Sequence, residues 1–262
     1  MQIIVLLKQV PDTDEVKMDE KTGTMIREGL QAIINPLDLH ALEEALRLKE
    51  KTGGEVIVVS MGPPQTEEAL REAIAMGADS AFLLSDKKLA GADTWATSKA
   101  LSKAIEKIKD FDLILAGEKA TDGETGQVGP EVAAMLDIPF STYVNRIIEI
   151  TNDGLIVSRV VEEGYEEQFL PFPCLLTVVK DINEPRMPTL KGKVKARRAE
   201  LNLLKANDLG LAESEMGLKG SPTRVVKISY PKVSRNTRIY TSKNLDEALE
   251  ELIGKLKKMA LI

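Results

Sequence analysis

At 262 residues the chain is long enough for one large domain, or one domain with a substantial extension, and its 43% apolar content supplies a core that 4% aromatics leave to aliphatic packing. A formal charge of −6 argues against a nucleic-acid partner, because such domains carry a basic footprint. One cysteine, Cys174, excludes an internal disulfide framework and fits a reducing cytosol, and one histidine, His40, excludes a multi-histidine metal site. The first apolar run, residues 3–7, is shorter than the core of a secretory signal, and no segment reaches the length of a membrane span. A cytoplasmic protein is expected, whether free or held by a membrane-bound partner.

Residues 3–7 form a continuous aliphatic run, which suits a strand covered on both faces of a parallel sheet. Pro11 prevents its simple continuation. Residues 14–34 are polar and mixed, with a turn signal at Lys21-Thr22-Gly23, and predict a short hairpin or loop. Asp38 suits a helix N-cap, and Leu39, Leu42, Ala45, Leu46 and Leu48 follow at helical spacing until Gly53-Gly54. Residues 55–60 predict a second buried strand. Thr66 can cap a helix running to Met76, with Gly77 beyond its end. A third strand is expected over 81–84, a helix from Asp93-Thr94 to about Lys109, and a fourth strand over 112–116. This alternation predicts an α/β fold, a parallel Rossmann-like sheet with helices on both faces. Ligands in that architecture sit beyond the carboxyl ends of the strands near a topological switch, so the loops 8–13, 60–64 and 117–128 and the Asn35-Pro36 turn should meet at one crevice.

After Pro139 the pattern changes. Residues 155–161 and 167–172 flank Glu162-Glu163-Gly164-Tyr165 and predict an antiparallel hairpin, and 174–179 is another buried run in which Cys174 is a packed thiol. Beyond Asn183 the helix–strand alternation is lost. Lys191, Lys193, Lys195, Arg197 and Arg198 form a basic run, and 205–223 reads as a glycine-bearing loop. The expected division is a nucleotide-binding domain over 1–183 and a C-terminal arm over 184–262. The arm ends in an amphipathic helix over 244–259, with Leu245, Leu249, Leu252, Ile253 and Leu256 as its apolar stripe.

The chemistry concentrates in Gly117-Glu118-Lys119-Ala120-Thr121-Asp122-Gly123-Glu124-Thr125-Gly126-Gln127-Val128-Gly129-Pro130. A strand, a turn rich in glycine and hydroxyls, and a helix start make a floor for phosphate, because the first helical turn offers N–H groups without partners inside the helix. Pro130 is tolerated only in that first turn, so the helix should begin a few residues before it, leaving N–H groups near Gly126, Gln127 and Val128 free. Thr121 and Thr125 can donate hydroxyls, Gln127 can bind an oxygen or a base edge, and Lys8 and Lys119 can supply charge. Asp122 and Glu124 repel phosphate; capping N–H groups, binding a ribose hydroxyl or facing away are their alternatives. A helix start with ordinary capping residues is the competing explanation of the whole stretch. There is no G-x-G-x-x-G after the first strand, no G-x-x-x-x-G-K-[ST] and no G-x-S-x-G elbow, and no residue is assigned a catalytic role or a metal.

Taken together, the opening Val5-Leu6-Leu7-Lys8-Gln9-Val10-Pro11-Asp12, the turn Asn35-Pro36-Leu37-Asp38 with its helix, Met61-Gly62-Pro63, and Ala75-Met76-Gly77-Ala78-Asp79 resemble the beta subunits of electron transfer flavoproteins. So do Arg159, Glu162, Gly164, Glu166, Pro173 and Thr177, and Asn183-Glu184-Pro185-Arg186 with Thr189-Leu190. Glu163 and Gln168 depart from the usual residues of that hairpin. The resemblance implies a heterodimer with an alpha subunit that carries a mobile flavin, while the beta subunit supplies a nucleotide-binding domain and an arm around its partner. The family's beta crevice holds AMP in ordinary electron carriers and a second FAD in the bifurcating members. The spelling Thr121-Asp122-Gly123-Glu124-Thr125-Gly126-Gln127-Val128-Gly129-Pro130 resembles the bifurcating type and implies FAD, with AMP as the alternative.

The contacts carried over are Leu6, Lys8, Asn35, Pro36, Leu37, Asp38, Met61 and the stretch from Gly117 to Val128. NADH is the implied electron donor. Ferredoxin, and a dehydrogenase or quinone-linked acceptor, are the implied redox partners. Leu190 is implied as an apolar anchor on such a partner, with packing on the alpha subunit as the alternative. The basic run beside it either steers an acidic partner or is a solvated face. A stand-alone adenine-nucleotide-binding protein of the same broad fold is the remaining alternative.

Overall fold

The computed structural model describes residues 1–12, 32–108, 110–226 and 237–262. Four aliphatic runs become the centre of a sheet: β1 (Gln2–Leu6), β4 (Glu55–Met61), β5 (Ser80–Leu84) and β6 (Leu113–Gly117), with β2 (Gln9–Pro11) and β3 (Ala32–Ile34) forming a separate antiparallel pair after β1. The hairpin or loop expected over 14–34 otherwise lies outside the described residues. The nine strands of the main sheet run in the order β11-β5-β4-β1-β6-β10-β7-β8-β9, completed by β7 (Phe140–Ile150), β8 (Gly154–Val161), β9 (Gly164–Pro171), β10 (Cys174–Val178) and β11 (Asn202–Leu204). Pairing is parallel from β11 through β7 and antiparallel from β7 to β9.

Both faces of the parallel strands are covered, which explains their unbroken apolar runs. Ile3, Val5, Val56 and Val58 pack on one side with α1 (Pro36–Thr52) and α2 (Glu67–Met76), whereas Ile4, Leu6, Ile57 and Val59 pack on the other with α3 (Thr94–Ile108) and α4 (Val128–Met135). Cys174 is fully buried in β10, where burial pushes its thiol pKa up to about 12, so it is a packed and unreactive side chain.

The hairpin expected over 155–172 is present as β8 and β9, but β7 extends it into a three-stranded meander. The alternation of β7 is broken by register shifts between Val144 and Arg146 and between Ile147 and Glu149, which hides the strand from a period-two reading. The expected loss of alternation after Asn183 is also corrected. Thr189 caps α5 (Leu190–Arg198) through its hydroxyl, which accepts from Gly192 N at 2.9 Å, and β11 then adds a parallel edge strand to β5. Gly192 and Ala196 let α5 approach α2 closely: a Cβ at Gly192 would run into the carbonyl of Ala75, and Ala196 is buried. The stretch read as a loop, 205–223, contains short 3-10 turns and the one-turn helix α6 (Gly217–Gly220), with Ala206, Leu209 and Met216 buried in the face that α3 covers. These residues give it a hydrophobic anchor that its glycines concealed.

Residues 183–186 are held on α1 by polar contacts. Asn183 donates to His40 O at 3.0 Å and Glu44 Oε2 at 2.9 Å, and Arg186 Nε donates at 2.8 Å to Glu43, which is almost fully buried and also accepts from Arg47 at 2.7 Å. Burial alone would raise the Glu43 pKa, but the hydrogen bonds from Arg186 and Arg47 outweigh it and hold the carboxyl below its ordinary value.

Compactness divides the chain into Met1–Val226 and Lys227–Ile262, so residues 184–226 build onto the sheet-bearing unit. In the second unit α7 (Leu245–Lys258) follows a short turn, with Glu251 bonded to Arg238, Tyr240 and Lys255. Leu245, Leu249, Leu252 and Ile253 are exposed along one side of α7, the stripe expected from the sequence.

Candidate functional site

The chain runs from β1 outward through β4 to β5, then returns across β1 to β6 on its other side. The switch therefore falls between β1 and β6, whose pairing stops at Val5 and Leu115, the place where this architecture puts a ligand crevice. Leu6 ends β1 and is buried, Met61 ends β4 half-buried, and Gly117 ends β6. The loops 8–13 and 117–128 and the Asn35-Pro36 turn meet, as Lys8 reaches Asp122 and Asn35 reaches Lys119 and Thr121, while Gln9 contacts Gln65 O and Thr66 Oγ1 just past the 60–64 loop.

Two buried side chains at the start of α1 set this geometry. Asn35, not Asp38, is the N-cap, Pro36 follows in the first turn, and the Asn35 side chain makes no capping bond. Instead its amide bridges to the central loop: Nδ2 donates to Lys119 O at 2.9 Å, and Oδ1 accepts from Thr121 N at 3.2 Å. Asp38, read from the sequence as a cap, points across the strand ends. Its Oδ2 accepts from Lys8 N at 2.7 Å and its Oδ1 from Gly117 N at 3.1 Å. One carboxylate thus clips β1 to β6 where the sheet opens. Leu37 is half-buried against Gly117, and Pro36 is exposed.

Beyond Gly117, the loop is tied by Glu118 N to Val178 O at 3.0 Å and by a turn in which Glu124 N donates to Ala120 O at 2.8 Å. Glu118 is half-buried, and burial raises its pKa. Asp122 and Glu124 now have partners: Asp122 pairs with Lys8 at 2.7 Å and Glu124 with Lys119 at 3.6 Å. These pairs answer the repulsion expected from the sequence, because each carboxylate is offset by a lysine beside it. Thr121, Gly123 and Thr125 are exposed on the loop, and a Cβ at Gly123 would meet open space.

Gly126 is left-handed at φ +63° and leads into α4, which begins at Val128 and carries Pro130 within its first turn. Among the described residues, the N–H groups of Gly126, Gln127 and Val128 have no acceptor. Such a row of free donors at a helix N-terminus is an anion-binding arrangement, and the hydroxyls of Thr121 and Thr125 and the ammonium groups of Lys8 and Lys119 lie on the same loops. The donor set fits a nucleotide phosphate. Gln127 Oε1 is 3.3 Å from Thr94 Oγ1, a contact from the start of α3 that sequence reasoning missed because it spans two elements. Two surface hollows, of about 100 and about 410 Å3, lie beside Glu44 and Ile148 and around Met1 and Phe172, and neither includes a residue of the crevice. Leu190 is not part of this site. It is highly exposed in the first turn of α5, next to the carboxyl end of α2, at the opposite end of the strands.

Burial moves the Asp38 carboxyl far from its ordinary titration range. Burial, the dominant influence, pushes its pKa from an ordinary carboxyl value up to about 7, against hydrogen bonds from Lys8 N, Asn35 and Gly117 N and the charge of Lys8. The folded state therefore binds more protons than the unfolded state between roughly pH 4 and 7, and the stability this contributes is full at the acid end and lost as pH rises through 7. Denaturation midpoints at pH 5.5 and 8 should show the gap between the native protein and Asp38→Asn shrinking at the higher pH. A gap independent of pH would show that Asp38 does not titrate in this range.

Among the described residues there is no group of acidic, histidine and cysteine side chains fit to hold a metal, and no helix long and apolar enough to cross a membrane. The Electron transfer flavoprotein domain family matches residues 22–209. A protein of Thermoanaerobacterium thermosaccharolyticum named electron transfer flavoprotein subunit beta is 53% identical over 263 residues, covering 100% of both chains. The caffeyl-CoA reductase-Etf complex subunit CarD of Acetobacterium woodii is 48% identical, again over 100% of both. Protein FixA of Azotobacter vinelandii is 45% identical over 95% of this chain and 92% of its own. With a doubly covered parallel sheet, a row of free N–H groups near its switch point and full-length similarity of this order, the chain belongs to the electron transfer flavoprotein family as a beta subunit, whose role is electron transfer in company with an alpha subunit.

Proposed function

We propose that this chain is the FAD-binding beta subunit of a heterodimeric, electron-bifurcating flavoprotein that takes electrons from NADH and passes them to a low-potential acceptor of ferredoxin type and to a high-potential acceptor. The observation that carries the nucleotide part is the row of free N–H groups at Gly126, Gln127 and Val128, set at the switch point by Asn35 and Asp38. The Asp122-Gly123-Glu124-Thr125-Gly126-Gln127-Val128-Gly129-Pro130 spelling favours FAD over AMP by its resemblance to the bifurcating type. Similarity to a subunit of the caffeyl-CoA reductase-Etf complex supports an assembly with a redox enzyme.

In this reading the N–H groups and threonine hydroxyls bind the pyrophosphate, Lys8 and Lys119 offset the Asp122 and Glu124 carboxylates beside it, and Leu6, Leu37 and Met61 border the crevice. A bound flavin would accept hydride from NADH and release electrons singly; the protein's part is placement and electrostatics. Leu190, exposed at the far end of the sheet, is suited to dock on a partner. Of the expected arm over 184–262, the part beyond the sheet-bearing unit, residues 227–262, is the segment read as packing on the alpha subunit.

The decisive experiment is flavin content. The co-expressed heterodimer should carry two FAD. One FAD, with AMP released on denaturation, would sink the bifurcating reading and leave an ordinary electron carrier. A stable monomer with ATPase activity and no flavin would indicate a stand-alone nucleotide-binding protein. Thr125→Ala combined with Gln127→Ala should weaken the beta-site nucleotide about 10- to 100-fold and leave the alpha flavin in place. Full occupancy of both sites with unchanged affinity in that variant would remove the Thr125 and Gln127 side chains from the site.

A further inference from the structure

Tyr143 stands apart in β7. It is one of four tyrosines in a chain poor in aromatics, and its backbone is left-handed at φ +58°, a conformation bulky residues rarely take inside a strand. The cause is a bulge. Ser141 pairs with Leu176 and Val144 with Val178, so three steps along β7 match two along β10. On the other edge, Val144 and Arg146 pair with the adjacent residues Arg159 and Ser158. The flanking residues are fixed: Ser141 and Val144 are buried, and Tyr143 N donates to the buried Thr177 Oγ1 at 3.3 Å. A bulge beside a site commonly re-aims one side chain.

Here it aims the ring at the cradle. The phenol oxygen of Tyr143 lies 4.0 Å from where a Cβ on Gly126 would stand. Gly126 is the first of the three residues with free N–H groups, so the hydroxyl lies beside the residue that starts the donor row. Among the described residues it has no hydrogen-bond partner, and the side chain is 47% exposed. A strained backbone that places an exposed, unengaged hydroxyl beside a row of unengaged amides is explained by a ligand that uses both.

We propose that Tyr143 is a ligand contact of the crevice, its phenol hydroxyl donating a hydrogen bond to a phosphate oxygen of the bound adenine nucleotide. This rests on the nucleotide reading above, but not on the choice between FAD and AMP, which share the phosphate.

The test uses the co-expressed heterodimer stripped of its beta-site nucleotide, titrated with AMP and with FAD by calorimetry, alongside melting of the ligand-free protein. Tyr143→Phe removes only the hydroxyl and should weaken both ligands about tenfold with the ligand-free melting temperature unchanged. Tyr143→Gly removes the ring and relieves the left-handed backbone, so it should bind at least as weakly without melting earlier. Binding within twofold of the native protein in Tyr143→Phe overturns the proposal, whatever the glycine variant does. So does a loss of affinity in Tyr143→Phe accompanied by earlier melting of the ligand-free protein, which would mark a structural role. If AMP binds and FAD does not, the flavin reading fails while the Tyr143 comparison stands on AMP.

Discussion

Asn35→Ala should abolish nucleotide binding at working concentrations and destabilise the fold by about 2–4 kcal/mol, since it strands polar groups on both sides of the crevice. The Asn35 side chain is fully buried, and both ends of its amide are used, one by Lys119 O and one by Thr121 N. Alanine removes both bonds and leaves a carbonyl and an N–H without partners in a partly buried setting. The loop from Gly117 to Val128 would lose its tether to α1, and the N–H groups of Gly126 and Val128 would no longer be held in one arrangement. Asn35→Asp is an informative companion. It keeps an acceptor for Thr121 N but sets a carboxylate oxygen against Lys119 O, and should be no better than alanine. Urea midpoints and nucleotide titrations of the heterodimer would check both, and a midpoint within error of the native protein would show that the loop holds itself.

Gly117→Ala should cost about 1–3 kcal/mol through overpacking and lower nucleotide affinity further by displacing the Asp38 clip. A Cβ there would stand 2.6 Å from Asp38 Oδ1 and 2.8 Å from the Leu37 backbone carbon. Neither neighbour can withdraw easily. The carboxylate is held by Lys8 N as well as by Gly117 N, and the first turn of α1 is packed on the sheet. Gly123→Ala is the control, because its Cβ would enter open space, and it should melt within a degree or two of the native protein. Equal melting of the two alanine variants would refute the close approach of β6 to α1.

The core elements were legible because their information is local. An unbroken aliphatic run of five or so residues suits a strand covered on both faces, and the spacing of Leu42, Ala45, Leu46 and Leu48 suits one buried side of a helix. The position of Pro130 limited where α4 could start, and it starts at Val128. Elements with broken periodicity were not legible. The bulges of β7 disturb its alternation, and α5 shows mostly charge because it approaches α2 through the small residues Gly192 and Ala196 rather than through an apolar stripe.

The sequence by itself determined the sheet-and-helix alternation, the phosphate-type turn after β6 and the family resemblance, all properties of neighbours along the chain. Only the tertiary structure decided how that turn is built. Lys8 meets Asp122 across 114 positions and Asp38 meets Gly117 across 79, and no pattern of spacing encodes which carboxylate faces which donor. Those pairings arise when strands distant in sequence are laid side by side, and that placement turns a presumed helix cap into the clip that ties β1 to β6.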